Sequence, residues 1–268
     1  MRGRQMLRAG PVIVRGEECR TAAQVSGAWS RALGNTVDGR GIVAQAHDYP
    51  KGCSWVSSGT RLMSGGDYVR AVRVRCAAVA TPLRASRGRP VQAACPDCQA
   101  PCSLGHISQT CPRVHGLRVR RHDDVVAFTK GRLVRKGFTV MQEPTIPFQG
   151  TYRKPDLVVW KPGGAEAFIV DAQVTSDSFP LHDAHARKVA KYDLRDLRDH
   201  VSALSGCPVV HVASLTLSWR ECWAAESASV LRALGLTIGD LQIISIKALT
   251  WTDTMCNVWR KAGRMGGT

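Results

Sequence analysis

The sequence has few acidic residues for its size. Its 268 residues include 21 aspartates and glutamates against 37 lysines and arginines, so the formal net charge is +16 and the pI is about 9.9. Such a surplus favours a polyanionic partner, because contacts with phosphates dominate the affinity of proteins for nucleic acid. The alternative is a protein that is merely basic, and the size of the surplus favours nucleic acid.

Long apolar runs are missing too. No stretch is long enough to span a membrane, and residues 1–10 are basic and lack the apolar core of a signal peptide. Ten cysteines could suggest a secreted, disulfide-bonded protein, but four of them crowd into residues 95–111 and the other six are scattered. This distribution predicts a reduced compartment and a metal site in the crowded segment.

A chain of this length forms one large domain or two to three small ones. We expect a helix at residues 21–33, and residues 81–90 are expected to be a flexible basic linker or a strap that contacts phosphates. Glycines, prolines and charges divide the sequence into five parts. These are a weakly patterned part at 1–60, a mainly helical basic linker at 61–94, a metal-binding segment at 95–112, an α/β domain at 113–260 and a basic tail at 261–268.

The crowded segment has the spacing Cys95-x2-Cys98-x7-His106-x4-Cys111. Two cysteines two residues apart present both sulfurs to one ion, and a histidine and a cysteine after a short loop complete a tetrahedral set suited to zinc. Cys102 could replace one ligand, but the regular set is favoured and Cys102 is then a bystander. Four protein ligands close the site, which predicts a structural zinc that supplies the folding energy of the segment.

Two acids accompany a predicted β-hairpin. The apolar runs Leu157–Trp160 and Ala167–Val174 are expected to be strands, and Lys161–Gly164 is a strong turn between them. This hairpin brings Asp156 and Asp171 to similar depth, where both could bind one metal ion. An acid inside an apolar strand, as Asp171 is, is costly to bury unless it is paired or bound to a metal.

Helices are expected on both sides of the hairpin, at 113–136 and 180–201. In the first, His122 could be a surface histidine or contact a phosphate or a metal-bound water, and Asp123 and Asp124 could assist a metal ion or be solvated. In the second, Lys188 and Tyr192 lie one turn apart. Both could lean over the acids, or they could belong to an exposed charged face. A strand at 208–218 and two further helices, from Trp219 and from Leu241, are expected to pack against the sheet.

Four motifs in this order resemble the C-terminal end of site-specific non-LTR retrotransposon proteins of the R-two clade. They are the metal-binding segment, Arg121-His122-Asp123, Lys154-Pro155-Asp156 with Asp171 fifteen residues on, and Lys188-x3-Tyr192. The resemblance covers residues 60–260. Proteins of this clade carry a reverse transcriptase, a linker with a zinc knuckle and a restriction-like endonuclease of the PD-(D/E)xK type, and they insert into ribosomal RNA genes.

The resemblance implies an α/β fold, in which a mixed central sheet flanked by helices follows a CCHC zinc knuckle and a helical linker. It implies that Asp156 and Asp171 hold Mg²⁺. The general nuclease pattern has a lysine where this chain has Gln173, and in this clade the lysine resembles one moved to the next helix. That residue is then Lys188, with Lys191 as the weaker alternative. Tyr192 resembles the family's nearby aromatic, and the resemblance places it with Asp156, Asp171 and Lys188 in the catalytic set.

The implied function is a Mg²⁺-dependent endonuclease that nicks double-stranded target DNA in the nucleus to prime reverse transcription of the element's RNA. The expected contacts with the DNA backbone are Arg118, Arg120, Arg121 and Lys154, and neither a membrane nor a small-molecule substrate is expected. No acidic pair of the Tyr-Ala-Asp-Asp or Phe-Ala-Asp-Asp kind is found, so we expect a C-terminal piece or truncated copy that lacks the reverse transcriptase. The alternatives are a non-catalytic nucleic-acid-binding module of an inactive copy and a zinc-stabilised protein-interaction domain.

Overall fold

The structure is a computed structural model that describes residues 10–58, 61–89 and 93–265. It begins with a short hairpin, β1 (Val12–Val14) and β2 (Glu17–Cys19), followed by helices α1 (Ala22–Gly34) and α2 (Arg40–Ala46). The helix predicted at 21–33 is confirmed as α1. The Thr21 side chain caps it by accepting a hydrogen bond from the backbone amide of Gln24, and the Gln24 side chain accepts one from the backbone amide of Thr21. Such caps provide partners for amide donors that the start of a helix leaves unpaired.

Residues 81–89 are folded, so the expected flexible linker is wrong there, and Pro90 lies outside the described residues. After α3 (Trp55–Ser58) and α4 (Gly65–Arg75), helix α5 (Pro82–Ala85) begins behind the cap Thr81. Arg84 and Arg87 both pair with Asp38, and Arg87 holds both carboxylate oxygens at 2.6 Å. The single carboxylate of Asp38 offsets one of these two guanidinium charges, so a net positive charge remains here and the phosphate-contacting strap stays a prediction.

The predicted α/β architecture with a mixed sheet is confirmed. Helices α6 (Leu104–Gln109) and α7 (His115–Arg135) precede the main sheet. The remaining elements are β3 (Thr139–Gln142), β4 (Ile146–Phe148), β5 (Thr151–Arg153), β6 (Leu157–Trp160), β7 (Glu166–Thr175), α8 (Leu181–Tyr192), α9 (Arg195–Ser205), β8 (Val209–Ser218), α10 (Ala225–Ala233) and α11 (Ile238–Met265). The order in the sheet is β3-β6-β7-β8, antiparallel except for the parallel pair β7 and β8, and β4 and β5 form a separate hairpin.

Both faces of the sheet are covered, which explains why β6 and residues 167–170 of β7 are apolar. Leu157 and Val159 of β6 pack with α7, α10 and α11, whereas Val158 between them packs with α9. The hairpin β6–β7 is therefore held in the middle of the molecule, and the residues at its open end are fixed by packing on two sides. No helix in the described ranges is long and apolar enough to cross a membrane.

Three predicted helix boundaries are wrong. The helix expected at 180–201 is broken into α8 and α9 because Asp193 and Leu194 leave the helical conformation. The helix expected from Trp219 begins only at Ala225, because Glu221 has a φ of 71°, which a helix cannot contain. The last helix begins at Ile238 and runs to Met265, so residues 261–265 of the expected tail are helical. Residues 266–268 lie outside the described part.

Candidate active site and metal cluster

The cysteine-rich segment folds so that its ligand atoms converge. Side-chain atoms of Cys95, His106 and Cys111 all lie within 4.8 Å of one another, and Cys98 Sγ lies 3.4 Å from His106 Nε2. His106 is carried by α6, and its Nδ1 lies 2.9 Å from Thr110 Oγ1, which leaves Nε2 free to face the sulfurs. Thiolates with an imidazole are a donor set that suits zinc. These residues could therefore hold a metal ion.

Cys102 lies beside this cluster. Its side chain is fully buried, as are those of Cys95 and Cys111, and burial raises the pKa of both Cys102 and Cys111. Cys102 is not among the three residues whose ligand atoms converge within 4.8 Å. Its assignment as a bystander stays a prediction.

The two predicted acids face each other at the open end of the β6–β7 hairpin. Leu157 pairs with Val170 in the antiparallel register, so the next position outward sets Asp156 opposite Asp171. Asp156 Oδ2 accepts a hydrogen bond from the amide of Ala172 at 2.6 Å. Asp171 is 3% exposed. The hairpin thus brings both carboxylates to one place, as the sequence predicted.

The environments of the two carboxyl groups differ. Burial raises the pKa of Asp171, and the neighbouring charge of Asp156 raises it further. Burial acts on Asp156 as well, but the hydrogen bonds from His122 and from the amide of Ala172 outweigh it and hold the pKa of Asp156 below its usual value. Two close carboxyl groups whose pKa values are shifted in opposite directions are typical of a site that a divalent cation can occupy.

Lys188 is the lysine that reaches the acids. It forms an ion pair with Asp171 Oδ2 from the middle of α8. Lys191, the weaker candidate, is exposed and lies with its ammonium 4.8 Å from the centre of the Tyr192 ring. Tyr192 itself is buried, and its hydroxyl donates to the backbone carbonyl of Lys154 at 3.1 Å. This contact makes Tyr192 a tie between α8 and the segment that leads to Asp156.

Gln173 stands where the general nuclease pattern has a lysine, and it has another role here. Its side-chain amide donates to the carbonyl of Ala184 on α8 and to Thr216 Oγ1 on β8, both at 2.8 Å. Gln173 therefore fixes α8 to the sheet one turn before Lys188. The sequence does not reveal this tie, because it depends on how α8 crosses the sheet.

The acids expected to assist from α7 do not reach the site. Asp123 is exposed, and Asp124 pairs with Lys247 at 2.7 Å and with the indole of Trp251 at 2.9 Å, both on α11. The residue that does reach the site is His122, whose Nε2 lies 3.1 Å from Asp156 Oδ2. The hydrogen bond with Asp156 raises the pKa of His122, so the histidine favours the ionised carboxylate.

The four predicted contacts to the DNA backbone fall in different environments. Arg120 is exposed, and Lys154 is exposed but paired with Glu143. Arg118 is half-buried and donates to the carbonyl of Cys111 at 2.6 Å. Arg121 is only 3% exposed, because it shares the buried face of α7 with the core residues at 125, 129 and 133. The four residues thus differ in exposure, and their expected contacts with the DNA backbone stay predictions.

No family model matches the sequence. The chain is 35% identical over 225 residues to the retrovirus-related Pol polyprotein from the type-2 retrotransposable element R2DM of Drosophila melanogaster. This match covers 82% of this chain and 21% of that protein. It is 28% identical over 239 residues to the Pol polyprotein of the type-1 element R2 of Nasonia vitripennis, which is 87% of this chain and 23% of that protein. It is 31% identical over 235 residues to the corresponding protein of Bradysia coprophila, 86% of this chain and 26% of that protein.

The matched relatives are much longer than this chain, which spans about a quarter of their length or less. Over more than four fifths of its own length, the chain is homologous to the Pol polyproteins of R2 retrotransposable elements.

Proposed function

We propose that the chain is the endonuclease part of an R2-type non-LTR retrotransposon protein, and that it nicks double-stranded target DNA so that reverse transcription of the element's RNA can begin in the nucleus. The observation that carries this proposal is the group Asp156, Asp171 and Lys188. Two acids face each other at the end of a hairpin, and a lysine from the next helix is paired with one of them. This is the arrangement expected of a PD-(D/E)xK nuclease whose lysine has moved.

The two carboxylates would hold Mg²⁺, for which oxygen ligands are preferred. When bound, the ion lowers the pKa of a coordinated water and offsets the charge that develops on the scissile phosphate. Asp156 is kept ionised by His122 and by the amide of Ala172, so it is ready to bind a cation. Asp171, now paired with Lys188, would supply the second carboxylate to the cation and would then release Lys188.

Lys188 then acts on the reacting groups. Its ammonium, released from Asp171, orients the attacking water or neutralises the phosphate oxygens in the transition state. The water gives up a proton to solvent as its oxygen bonds to phosphorus, the bond from phosphorus to the 3′ oxygen breaks, and that oxygen takes up a proton from solvent. The resulting 3′-hydroxyl serves as the primer. Tyr192 and Gln173 are positioning residues in this mechanism, because they hold α8 against the sheet without touching the reacting atoms.

A structural zinc ion is proposed for Cys95, Cys98, His106 and Cys111. The cluster is built into the body of the molecule, since Cys95 and Cys111 are buried with Trp219, Leu249 and Met255 in one apolar core. The ion would therefore fix α6 and the start of α7 against α11. Through α7 it also fixes His122, so the zinc acts on the acidic site only by positioning.

Nicking of supercoiled plasmid in Mg²⁺ tests the proposal. The wild-type chain should convert the plasmid to the open-circular form, and Asp156→Ala should not. Asp199→Ala is the matched control, because Asp199 is an acid of α9 whose side chain is 69% exposed and distant from the site in the fold. Equal nicking by the wild type and Asp156→Ala would sink the enzyme assignment. DNA binding without nicking by any variant would favour a non-catalytic nucleic-acid-binding module.

A further inference from the structure

Several arginines that are buried or half-buried are paired with acids. Four whose side chains are 3–29% exposed form ion pairs with carboxylates, whereas Arg153 and Arg260 are half-buried and form none among the described residues. These pairs are Arg75 with Glu221, Arg113 with Asp97, Arg132 with Asp240 and Arg220 with Asp177. Pairing is the expected arrangement, since an unpaired buried charge loses its hydration without compensation.

Arg121 departs from this pattern. It is 3% exposed, and neither its Nε nor its Nη1 has a hydrogen-bond partner within the described ranges. Burial, together with the nearby charge of Arg118, lowers the pKa of Arg121 to about 9. A guanidinium with buried donors that nothing accepts from is destabilising for the free protein. Its presence is explained if a bound anion accepts hydrogen bonds from these donors.

Arg118 adds a second guanidinium to the same place. It lies one helical turn before Arg121 on α7, and side chains on a helix lean toward its N-terminus, so the Arg121 side chain extends toward Arg118. Arg118 has no acidic side-chain partner in the part of the chain that the structure describes. Its Nη1 donates instead to the carbonyl of Cys111. Two adjacent guanidinium groups without a carboxylate create a local positive potential that attracts anions.

The position of this pair on α7 indicates which anion it takes. Arg118 touches Cys111 of the metal cluster, and His122, the neighbour of Arg121, touches Asp156. An anion held by Arg118 and Arg121 therefore lies between the metal cluster and the acidic site, along α7. The planar guanidinium fork matches the oxygens of a phosphate.

We propose that Arg118 and Arg121 form a receptor for a single backbone phosphate of the DNA that is cut, separate from the exposed contacts of the Arg120 kind. This inference rests on the proposed function for the identity of the nucleic acid. The Arg121 side chain turns toward the surface beside Arg118 when the phosphate arrives. Its unpartnered donors favour that movement, because they gain acceptors by it.

The receptor predicts that stability and binding respond to Arg121→Met in opposite directions. The substitution removes an unpaired buried charge but keeps the length of the side chain, so the melting temperature of the DNA-free chain should rise by about 2–6 °C. The affinity for a DNA duplex at 0.1 M salt should fall by about tenfold, and its salt slope should fall by about 0.9, as expected for one lost phosphate contact. Ca²⁺ replaces Mg²⁺ in the binding assay, so that no DNA is cut.

Arg132→Met is the matched control, because Arg132 lies on the same helix and is paired with Asp240. It should lower the melting temperature and leave the DNA affinity unchanged. If Arg121→Met instead lowers the melting temperature and leaves the affinity unchanged, Arg121 is a structural residue and the receptor is refuted. Should Arg121→Met fail to fold, Arg118→Met is measured against the same control, and an unchanged affinity refutes the receptor.

Two further arms sharpen the result. Arg118→Met combined with Arg121→Met should lose less affinity than the product of the single losses if both hold one phosphate, whereas a multiplicative loss would contradict a shared receptor.

The affinity for an RNA duplex of the same sequence should change less on Arg121→Met than the affinity for DNA. A loss of affinity confined to RNA overturns the choice of DNA. Binding that depends on Arg121 in a chain that does not nick refutes only the nuclease assignment. Nicking without that dependence refutes only the receptor.

Discussion

The metal cluster and the acidic site show two ways of building a polar centre in one small protein. The metal cluster takes its ligands from residues 95–111 and buries two of them, Cys95 and Cys111, in an apolar core. The acidic site takes its groups from α7, β6, β7 and α8, and each is held by a polar partner such as His122 or Lys188. The cluster can therefore be expected to carry stability, and the acidic site to carry chemistry.

The largest expected effect is on the metal cluster. Cys111→Ser, or removal of zinc by a chelator, should lower the melting temperature by at least ~10 °C, because the ion joins α6 to the start of α7 and binds only the folded state. Circular dichroism and zinc content measure it. Cys76→Ser is the control, since Cys76 is exposed and outside the cluster. An equal melting temperature with and without zinc would refute the structural role.

The acidic site should show the opposite response. Lys188→Ala should reduce the rate of nicking by about 10²-fold, as for the loss of one group that acts in the transition state, with zinc content unchanged. Lys191→Ala should stay within about twofold of the wild type, because Lys191 is exposed and contacts only the Tyr192 ring. The reverse result would assign the catalytic lysine to position 191.

Positioning of α8 should have a smaller effect. Gln173→Ala removes the bonds to Ala184 and Thr216, so α8 should hold Lys188 less accurately and nicking should fall by about tenfold. Gln142→Ala on the exposed end of β3 is the matched control. If Gln173 acts by positioning Lys188 through α8, adding Gln173→Ala to Lys188→Ala should reduce the nicking rate little further. Full additivity would mean that Gln173 acts elsewhere.

The smallest effect concerns the segment before the cluster. The hydrogen bond from Arg87, with that from Arg84, holds the pKa of Asp38 below its usual value. A lowered carboxyl pKa contributes stability above the unfolded value and loses it as the pH falls through the folded one. Asp38→Asn should therefore destabilise the chain by about 1 kcal/mol or less at pH 7 and by almost nothing near pH 2. A pH-independent difference in thermal melts would contradict the ion pair.

What the sequence could reveal follows from the same comparison. The spacing of Cys95, Cys98, His106 and Cys111 is local, so it was visible without a fold. The hairpin with Asp156 and Asp171 was also predictable, because two apolar runs meet at a glycine turn. The choice of His122 over Asp123 and Asp124 was not, since it depends on how α7 is rotated against the sheet.

The burial of Arg121 was not predictable for the same reason. Its neighbours in sequence are basic, yet position 121 falls on the face of α7 that also carries Val125 and Leu133. The break between α8 and α9 at Asp193 was hidden by a charge pattern that continues through it. These features are tertiary, and no local pattern carries them.

The central claim is tested most directly by the rate at which zinc-loaded Asp171→Asn nicks a DNA duplex in Mg²⁺ at saturating protein. The substitution keeps the shape of the side chain but removes one of two opposed carboxylates. The rate should fall by at least about 10³-fold while the zinc content and the DNA affinity remain those of the wild type. A rate within a few-fold of the wild type would contradict the assignment of this site as a nuclease.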